Sequence, residues 1–282
     1  MFESLKVSPQ DYHRKLTCDR SNIFGEHSWL SKSVLWELDS CSLFRWRHHP
    51  RSYEPTESMQ WGSLVDCLTT TPELVRETVA VSPYDSYRSK EARDWKAASL
   101  AAGKVVVSSA QFREAERAAE MLVTTCRESA EIFGNSDTQT VIGGKLRGVQ
   151  FKGLLDLVPR TGAFLCDLKT TNDFSVDGFG KKVAQFGYHV QMGLYLGLWN
   201  AMFTDDQRHE ARLIWQDSTA PYEVAVTELA PHEIEAGQEY ADRLLQRLTW
   251  AALNDEWPML CEGERTVISR PAWAAIREGG FH

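Results

Sequence analysis

The sequence predicts a mixed α/β fold, a central sheet flanked by helices, and three observations predict it. Apolar residues recur at helical spacing over Ser108–Phe133 and Phe179–Phe203. Alternating, β-branched and apolar residues broken by turn signals fill Thr138–Lys169. The resulting order (helix, three strands, helix, one or two strands, helix) sets a sheet between helices. The chain has 282 residues, 43% apolar and 25% charged, with 18 Gly and 10 Pro. It can bury a core, and disorder, collagen and coiled coil are excluded as its main theme. No fixed-period repeat, low-complexity tract or linker marks a boundary, so one domain is expected over 1–282. Within it, 1–60 form an N-terminal helical elaboration, 61–253 the core and 254–282 a C-terminal extension.

In chain order, residues 28–47 read as a helix with a Ser-rich start. Gly62–Thr70 reads as a second, stopped at Thr71-Pro72 because the residue before proline is pushed out of the helical region. Ser108 with Gln111 three residues later is a capping-box pattern, and Phe112, Ala115, Ala119, Leu122 and Cys126 continue that helix to Gly134-Asn135-Ser136-Asp137. Gly143-Gly144 and Pro159-Arg160-Thr161-Gly162 read as the turns of a β-meander. Phe179, Val183, Phe186, Val190, Leu194, Leu198 and Met202 mark one helix, and Arg212–Gln216 and Tyr222–Thr227 two strands. Pro231 opens a long amphipathic helix to about Leu253.

No apolar run approaches the roughly 18 residues of a membrane span, and the N-terminal MFESLKVSPQDYHRK lacks a signal-peptide core, so a soluble cytoplasmic protein is expected. Six cysteines at 18, 41, 67, 126, 166 and 261 have no short metal spacing and are expected as reduced, mostly buried thiols. The net charge of -8 is unevenly spread. Residues 205–264 hold 14 acidic against 4 basic residues, which leaves the rest of the chain with 27 basic and 25 acidic. Within that remainder, Arg88–Lys104 is basic, and Phe44-Arg45-Trp46-Arg47-His48-His49 interleaves bases with aromatics. Such stretches suit phosphates with stacked bases, or else simply face water.

The chemistry concentrates in residues 148–171, GVQFKGLLDLVPRTGAFLCDLKTT. With Pro159–Gly162 as the hairpin loop, Asp156 faces Leu165 and Asp167 faces Leu154, so the two aspartates are diagonal neighbours on one face. Period-two alternation adds Lys169 to that face. Phe151, Gly153, Leu155, Leu157, Phe164, Cys166 and Leu168 form an apolar face behind it. Two converging carboxylates repel unless they share a proton or a divalent cation. A hard cation such as Mg²⁺ suits oxygen ligands, and a lysine beside it suits phosphodiester hydrolysis. The plainer alternative is a surface ion pair between Asp167 and Lys169.

Asp156, Asp167-Leu168-Lys169 and Gln191-Met-Gly-Leu-Tyr195 resemble the motifs of the PD-(D/E)XK nuclease superfamily in its RecB/RecE-type branch. Gly62-Ser-Leu-Val-Asp66 before Thr71-Pro72-Glu73, with Trp257-Pro258 and Pro271-x-Trp273, extends the similarity to the exodeoxyribonuclease VIII (RecE) C-terminal nuclease domain of phage and bacteria. The resemblance implies a restriction-endonuclease-like core and a Mg²⁺- or Mn²⁺-dependent exonuclease that degrades duplex DNA ends, 5′ to 3′, in recombination or repair. It also implies a ring-shaped homo-oligomer and a single-strand annealing recombinase as partner. Carried over, Asp156, Asp167 and the Leu168 carbonyl hold metal, Lys169 activates water, and Gln191 and Tyr195 face the site and the DNA strand. Asp66 falls where the branch has a metal-binding histidine and is carried over as a further metal ligand, through oxygen, and Gln139 falls where an acid is common. A catalytically silent DNA-end or partner-binding module is therefore the alternative. Arg45, Arg47, Lys90, Lys96, Lys181 and Lys182 are the candidate DNA contacts.

Overall fold

The structure is a computed structural model that describes residues 9–50, 55–262, 265 and 267–269. Its helices are α1 (Pro9–Lys15), α2 (Lys32–Trp36), α3 (Leu43–His48), α4 (Glu57–Thr70), α5 (Val75–Thr78), α6 (Lys90–Ala101), α7 (Ser109–Glu120), α8 (Arg127–Gly134), α9 (Val176–Phe186), α10 (Tyr188–Met202) and α11 (Pro231–Asn254). Its strands are β1 (Trp29–Ser31), β2 (Val79–Ser82), β3 (Val105–Ser108), β4 (Ser136–Leu146), β5 (Val149–Pro159), β6 (Phe164–Thr171), β7 (Glu210–Asp217) and β8 (Val224–Glu228). The Pro271-x-Trp273 motif lies outside the described residues.

The mixed sheet is as expected. β4, β5 and β6 form the antiparallel meander, β7 joins β6 in parallel, and β8 returns antiparallel at the edge. β5 is the pivot. One of its edges pairs with β4 from Pro159 back to Val149. The other is divided: β1 takes Gln150, Phe151 and Lys152, and β6 pairs only further along, with Leu157 opposite Cys166. The sheet therefore forks beside Gly153–Asp156.

One core cluster joins the sheet, through Leu165, Leu213 and Trp215, to α10, α11 and the N-terminal helices. A second joins Leu157, Cys166, Leu168 and Ile214 to α4, α7 and α8. The single apolar back face expected for the hairpin is thus split: Phe151 and Leu155 belong to the first cluster, and Leu157, Phe164, Cys166 and Leu168 to the second. Both faces of the sheet are covered.

Several expected elements are broken by local chemistry. The 28–47 helix is β1, α2, a 3-10 turn over Glu37–Asp39, and α3, with Ser31 and Ser42 each capping a new N-terminus. Gly143 and Gly144 lie inside β4, and the turn falls at Arg147-Gly148, where both residues have positive φ as a tight hairpin demands. The Ser108 capping box is present, but its helix ends in a π turn over Met121–Thr125 before α8. The 179–203 helix is interrupted at Gly187, which turns left-handed (φ 61°). β2 and β3 form a small parallel sheet of their own, connected through α6. No disulfide links any cysteine, and of the six only Cys166 is buried.

The β5–β6 register also differs by two residues from the expectation. Leu157 opposite Cys166, carried one step, sets Asp156 directly across from Asp167. Both aspartates keep their face because a two-residue shift preserves the pleat. The loop is centred one residue later because Arg208 clamps its ends: Nη1 donates to the Pro159 carbonyl at 2.8 Å and the Phe164 carbonyl at 2.9 Å.

Two glycines seat α10 against α11. A Cβ on Gly193 would stand 3.0 Å from the Ile234 carbonyl, and one on Gly237 only 2.2 Å from that of His189. Gly237→Ala must therefore push the helices apart. We expect a loss of about 1–3 kcal/mol, the usual range for overpacking, read as a lower denaturant midpoint at unchanged m-value.

Candidate active site

Five groups converge at the fork: Asp66 from α4, Asp156 from β5, Asp167 and Lys169 from β6, and Gln191 from α10. Asp167 is buried. Its Oδ1 accepts the Gln191 Nε2–H at 2.7 Å, and its Oδ2 touches the Lys169 ammonium without any other hydrogen-bond partner. Asp156 Oδ2 accepts the Leu168 backbone N–H at 2.9 Å, so β6 spends a main-chain donor on a carboxylate where the strands diverge.

Asp66 reaches the cluster because α4 lies against β6; a Cβ on Gly62 would be 3.0 Å from Thr170 Oγ1. Gln139 Nε2 stands 3.2 Å from each oxygen of the Asp66 carboxylate, and Thr70 Oγ1 donates to one of them, also at 3.2 Å. Gln139 itself is buried and has positive φ (49°), which interrupts the β4 ladder between Thr138 and Thr140, opposite Asp156. The two departures from the family pattern are thus bonded to each other. An acid at 139 would repel Asp66, whereas the amide donates to it.

The electrostatics follow from burial and crowding. Burial, then the charge of Asp167, pushes the Asp66 carboxyl up to about 6. Burial, then Asp167 and Asp66, holds the Asp156 carboxyl well above the usual carboxylate range. For Lys169, burial works against the charge, but Asp167, Tyr188 and Asp156 outweigh it and hold the ammonium above the ordinary lysine range. Lys169 is therefore a cation in the free protein, with its Nζ 4.5 Å over the Tyr188 ring.

The sequence expectations missed two contributors. Tyr188 is one, and Lys32 at the start of α2 is the other. Lys32 donates to the Phe186 carbonyl and lies 5.0 Å over the Trp36 ring. Burial, then the charge of Lys169, pushes its ammonium down to about 7. Lys32 carries no spacing signal, since it comes from an element remote from β6, whereas Tyr188 stands three residues before Gln191 on α10, a spacing that would have set it on the same helix face.

Tyr195 lies within reach of the charges of Asp167 and Asp156, which add to the effect of burial on its phenol, but it is closed to solvent. It is buried, its ring packs where a Cβ on Gly153 would come within 2.8 Å, and burial raises its phenol well above the ordinary range. It supports β5 and does not meet a strand in solvent. The expected nucleic-acid patch around Trp46 is likewise taken up by the fold. Trp46 is fully buried, its indole N–H donates to the Val34 carbonyl at 2.8 Å, and it stacks on Trp257. Arg47 donates to the Ser21 carbonyl at 3.2 Å and covers Trp257, so it is occupied as well. Arg45 is exposed beside a cavity of about 640 Å³ that no member of the carboxylate cluster lines. Lys90 is exposed at the start of α6. Lys181 and Lys182 lie on α9, where Lys182 covers the Phe186 ring.

The model of a PDDEXK-like domain of unknown function, DUF3799, matches residues 31–269. The chain belongs to this family. It is accordingly a member of the PD-(D/E)XK nuclease superfamily, with that superfamily's fold. A candidate exonuclease from Eubacterium rectale superposes with a TM-score of 0.61 at 13% identity, over 98% of this chain and all of the other. A phage-related exonuclease from Haemophilus somnus covers 87% of this chain and 97% of its own at 13% identity, with a TM-score of 0.31. No curated protein matches the sequence.

PD-(D/E)XK nucleases generally use divalent metals, and the donors of this family member fit one. Asp167 Oδ2 is a buried carboxylate oxygen satisfied only by an ammonium, and Asp156 stands across from it. Among the described residues no three His, Cys, Asp or Glu side chains converge tightly enough to hold an ion unaided. A cation here would take two carboxylates and complete its shell with a main-chain carbonyl such as that of Leu168 and with water, as Mg²⁺ commonly does. No helix among the described residues is long and apolar enough to cross a membrane.

Proposed function

We propose that the chain is a Mg²⁺- or Mn²⁺-dependent exodeoxyribonuclease that hydrolyses phosphodiester bonds from the ends of duplex DNA. The observation that carries this reading is the pairing of Asp156 and Asp167 across the fork, with Asp66 beside them and Lys169 in contact with Asp167. Three carboxylates against Lys169 and a weakly basic Lys32 leave net negative charge in a confined space, which a divalent cation offsets. Bound there, such an ion supplies Lewis-acid polarisation of the phosphate and a more acidic water.

The protein's own contribution is placement and charge. Gln191 fixes one oxygen of Asp167, the Leu168 amide fixes Asp156, and Gln139 with Thr70 fixes Asp66. Lys169, a cation on the same face, is aimed at charge developing on the phosphate and holds or yields a proton at Nζ. Attack at ends over internal cutting rests on the RecE-like motifs and is in keeping with the exonuclease name of the E. rectale protein that shares the fold. The 5′ to 3′ direction, a ring-shaped oligomer and an annealing recombinase as partner belong to the same proposal and rest on the RecE-like motifs. In such a ring the acidic β7–α11 segment would face away from DNA.

End-labelled linear duplex and covalently closed circular DNA, each with Mg²⁺, Mn²⁺ or EDTA, test the reading. Metal-dependent loss of the linear substrate alone is the expected result. Loss of the circle would make the chain an endonuclease, and DNA binding without cleavage under any metal would make it a silent module.

A further inference from the structure

Lys32 meets the site from outside the β5–β6 hairpin, and the proposed chemistry gives it no task. It is the first residue after β1. That strand pairs with β5 in parallel up to Ser31 opposite Lys152, so Lys32 comes level with Gly153, where the sheet forks. The β5–β6 register, carried along from Leu157 and Cys166, sets Lys169 level with Leu154. The two lysines therefore enter the fork from its two sides, at neighbouring levels of β5. Both end at the junction of α9 and α10. Lys32 donates to the Phe186 carbonyl, Lys169 lies over the Tyr188 ring, and that ring stacks on Phe186.

The surroundings of Lys32 leave its charge unspent. Among the described residues no carboxylate stands within ion-pair distance of it. An ammonium has three N–H donors, and here one goes to a neutral carbonyl while the Trp36 ring lies 5.0 Å away. Lys32 is half-buried, so it keeps a route to solvent. It also feels the site: Lys169 repels its charge and Asp167 attracts it. Burial, then Lys169, pushes the ammonium down to about 7, and an anion between the two lysines would relieve that cost.

The anion that a nuclease brings to this place is a phosphodiester, whose two non-bridging oxygens offer one acceptor to each ammonium. We propose that Lys32 is a second phosphate-contacting residue of the site, donating to one non-bridging oxygen of a phosphodiester at the fork while Lys169 faces the other. This inference rests on the nuclease reading and adds to it a residue from the N-terminal part of the chain.

The test is the salt dependence of binding. A linear duplex is titrated at pH 7 with Ca²⁺ in place of Mg²⁺ and followed by anisotropy between about 50 and 200 mM salt. Wild type is compared with Lys32→Gln, which keeps a donor for the Phe186 carbonyl but loses the charge, and with Lys32→Arg, which keeps the charge. We expect Lys32→Gln to melt with wild type, to bind more weakly and to lose about one unit from the slope of log K against log[salt]. Its deficit should therefore shrink about fourfold across that range, and arginine should keep the wild-type slope. A single uncharged methylphosphonate, moved through the four terminal linkages of either strand, should weaken wild type at one linkage more than it weakens Lys32→Gln. A wild-type slope in Lys32→Gln overturns the proposal even if wild type cleaves the DNA with Mn²⁺. So does loss of slope in both variants, which would leave Lys32 a structural task only. A flat methylphosphonate scan in wild type, which needs no variant, overturns it as well. Failure of wild type both to bind and to cleave removes the nuclease reading and this inference together.

Discussion

Lys169→Ala is expected to lower kcat for DNA cleavage by about 10²–10⁴-fold, the range that a positioned acid–base or charge-stabilising group contributes. The variant leaves the buried Asp167 without its cation, so the metal-free protein should also melt lower than wild type. Saturating Mn²⁺ should restore the melting temperature but not the rate. Lys169→Arg separates charge from proton transfer, because arginine keeps the cation and does not yield its proton. Asp167, Tyr188 and Asp156 hold Lys169 protonated, so a purely electrostatic role predicts that arginine recovers a substantial part of the lost rate. Recovery of nothing would assign Lys169 to proton transfer. An unchanged kcat in the alanine variant would remove it from the chemistry.

Asp156→Asn should abolish cleavage and yet stabilise the metal-free protein. Burial and the neighbouring Asp167 and Asp66 raise the Asp156 carboxyl, and Asp66 itself is pushed up to about 6. A carboxyl raised in the folded state contributes stability that is fully present below its unfolded value near 4. That contribution is lost as pH rises through the folded value. At pH 8 the wild type therefore bears a cost that the asparagine variant lacks, because Asp156 either ionises against its neighbours or keeps a proton that the unfolded chain gives up, while the Leu168 amide still finds an oxygen at position 156. A gain of about 0.5–2 kcal/mol is typical when a strained functional group is removed, and for a chain of this size each kcal/mol is worth roughly 2–4 °C. The gain should shrink toward pH 5, where the wild-type carboxyls hold protons, and Mn²⁺ should stabilise wild type more than the variant at pH 8. A variant that melts below wild type at both pH values would contradict this electrostatic account.

The parts of the molecule legible in the sequence were those set by local pattern. The meander, the capping box at Ser108 and the long α11 helix follow from period, cap and turn chemistry within a few residues of chain. What escaped was fixed from a distance. The hairpin register depends on Arg208, more than forty residues beyond the loop that it clamps. The break before α10 is needed because Gly187 packs on Trp36, where a Cβ would come within 2.9 Å of the indole ring.

The same contrast holds in the site. Asp156, Asp167 and Lys169 share one hairpin, so alternation alone gathers them. Asp66 and Gln139 looked like two separate departures from the family pattern, and only their contact across α4 and β4 shows one compensating for the other. Trp46 illustrates the converse. Its basic and aromatic neighbours gave it the look of a nucleic-acid contact, but composition does not distinguish an indole facing DNA from one inside the core.

The most direct test of the central claim, that the fork is a divalent-metal site, is Mn²⁺ binding to wild type and Asp167→Asn by isothermal titration calorimetry at pH 8. Asparagine keeps the size of the side chain and an oxygen for Gln191 but removes the charge. The account predicts saturable Mn²⁺ binding to wild type that is lost in a folded Asp167→Asn variant. Wild-type affinity retained in that variant would contradict it.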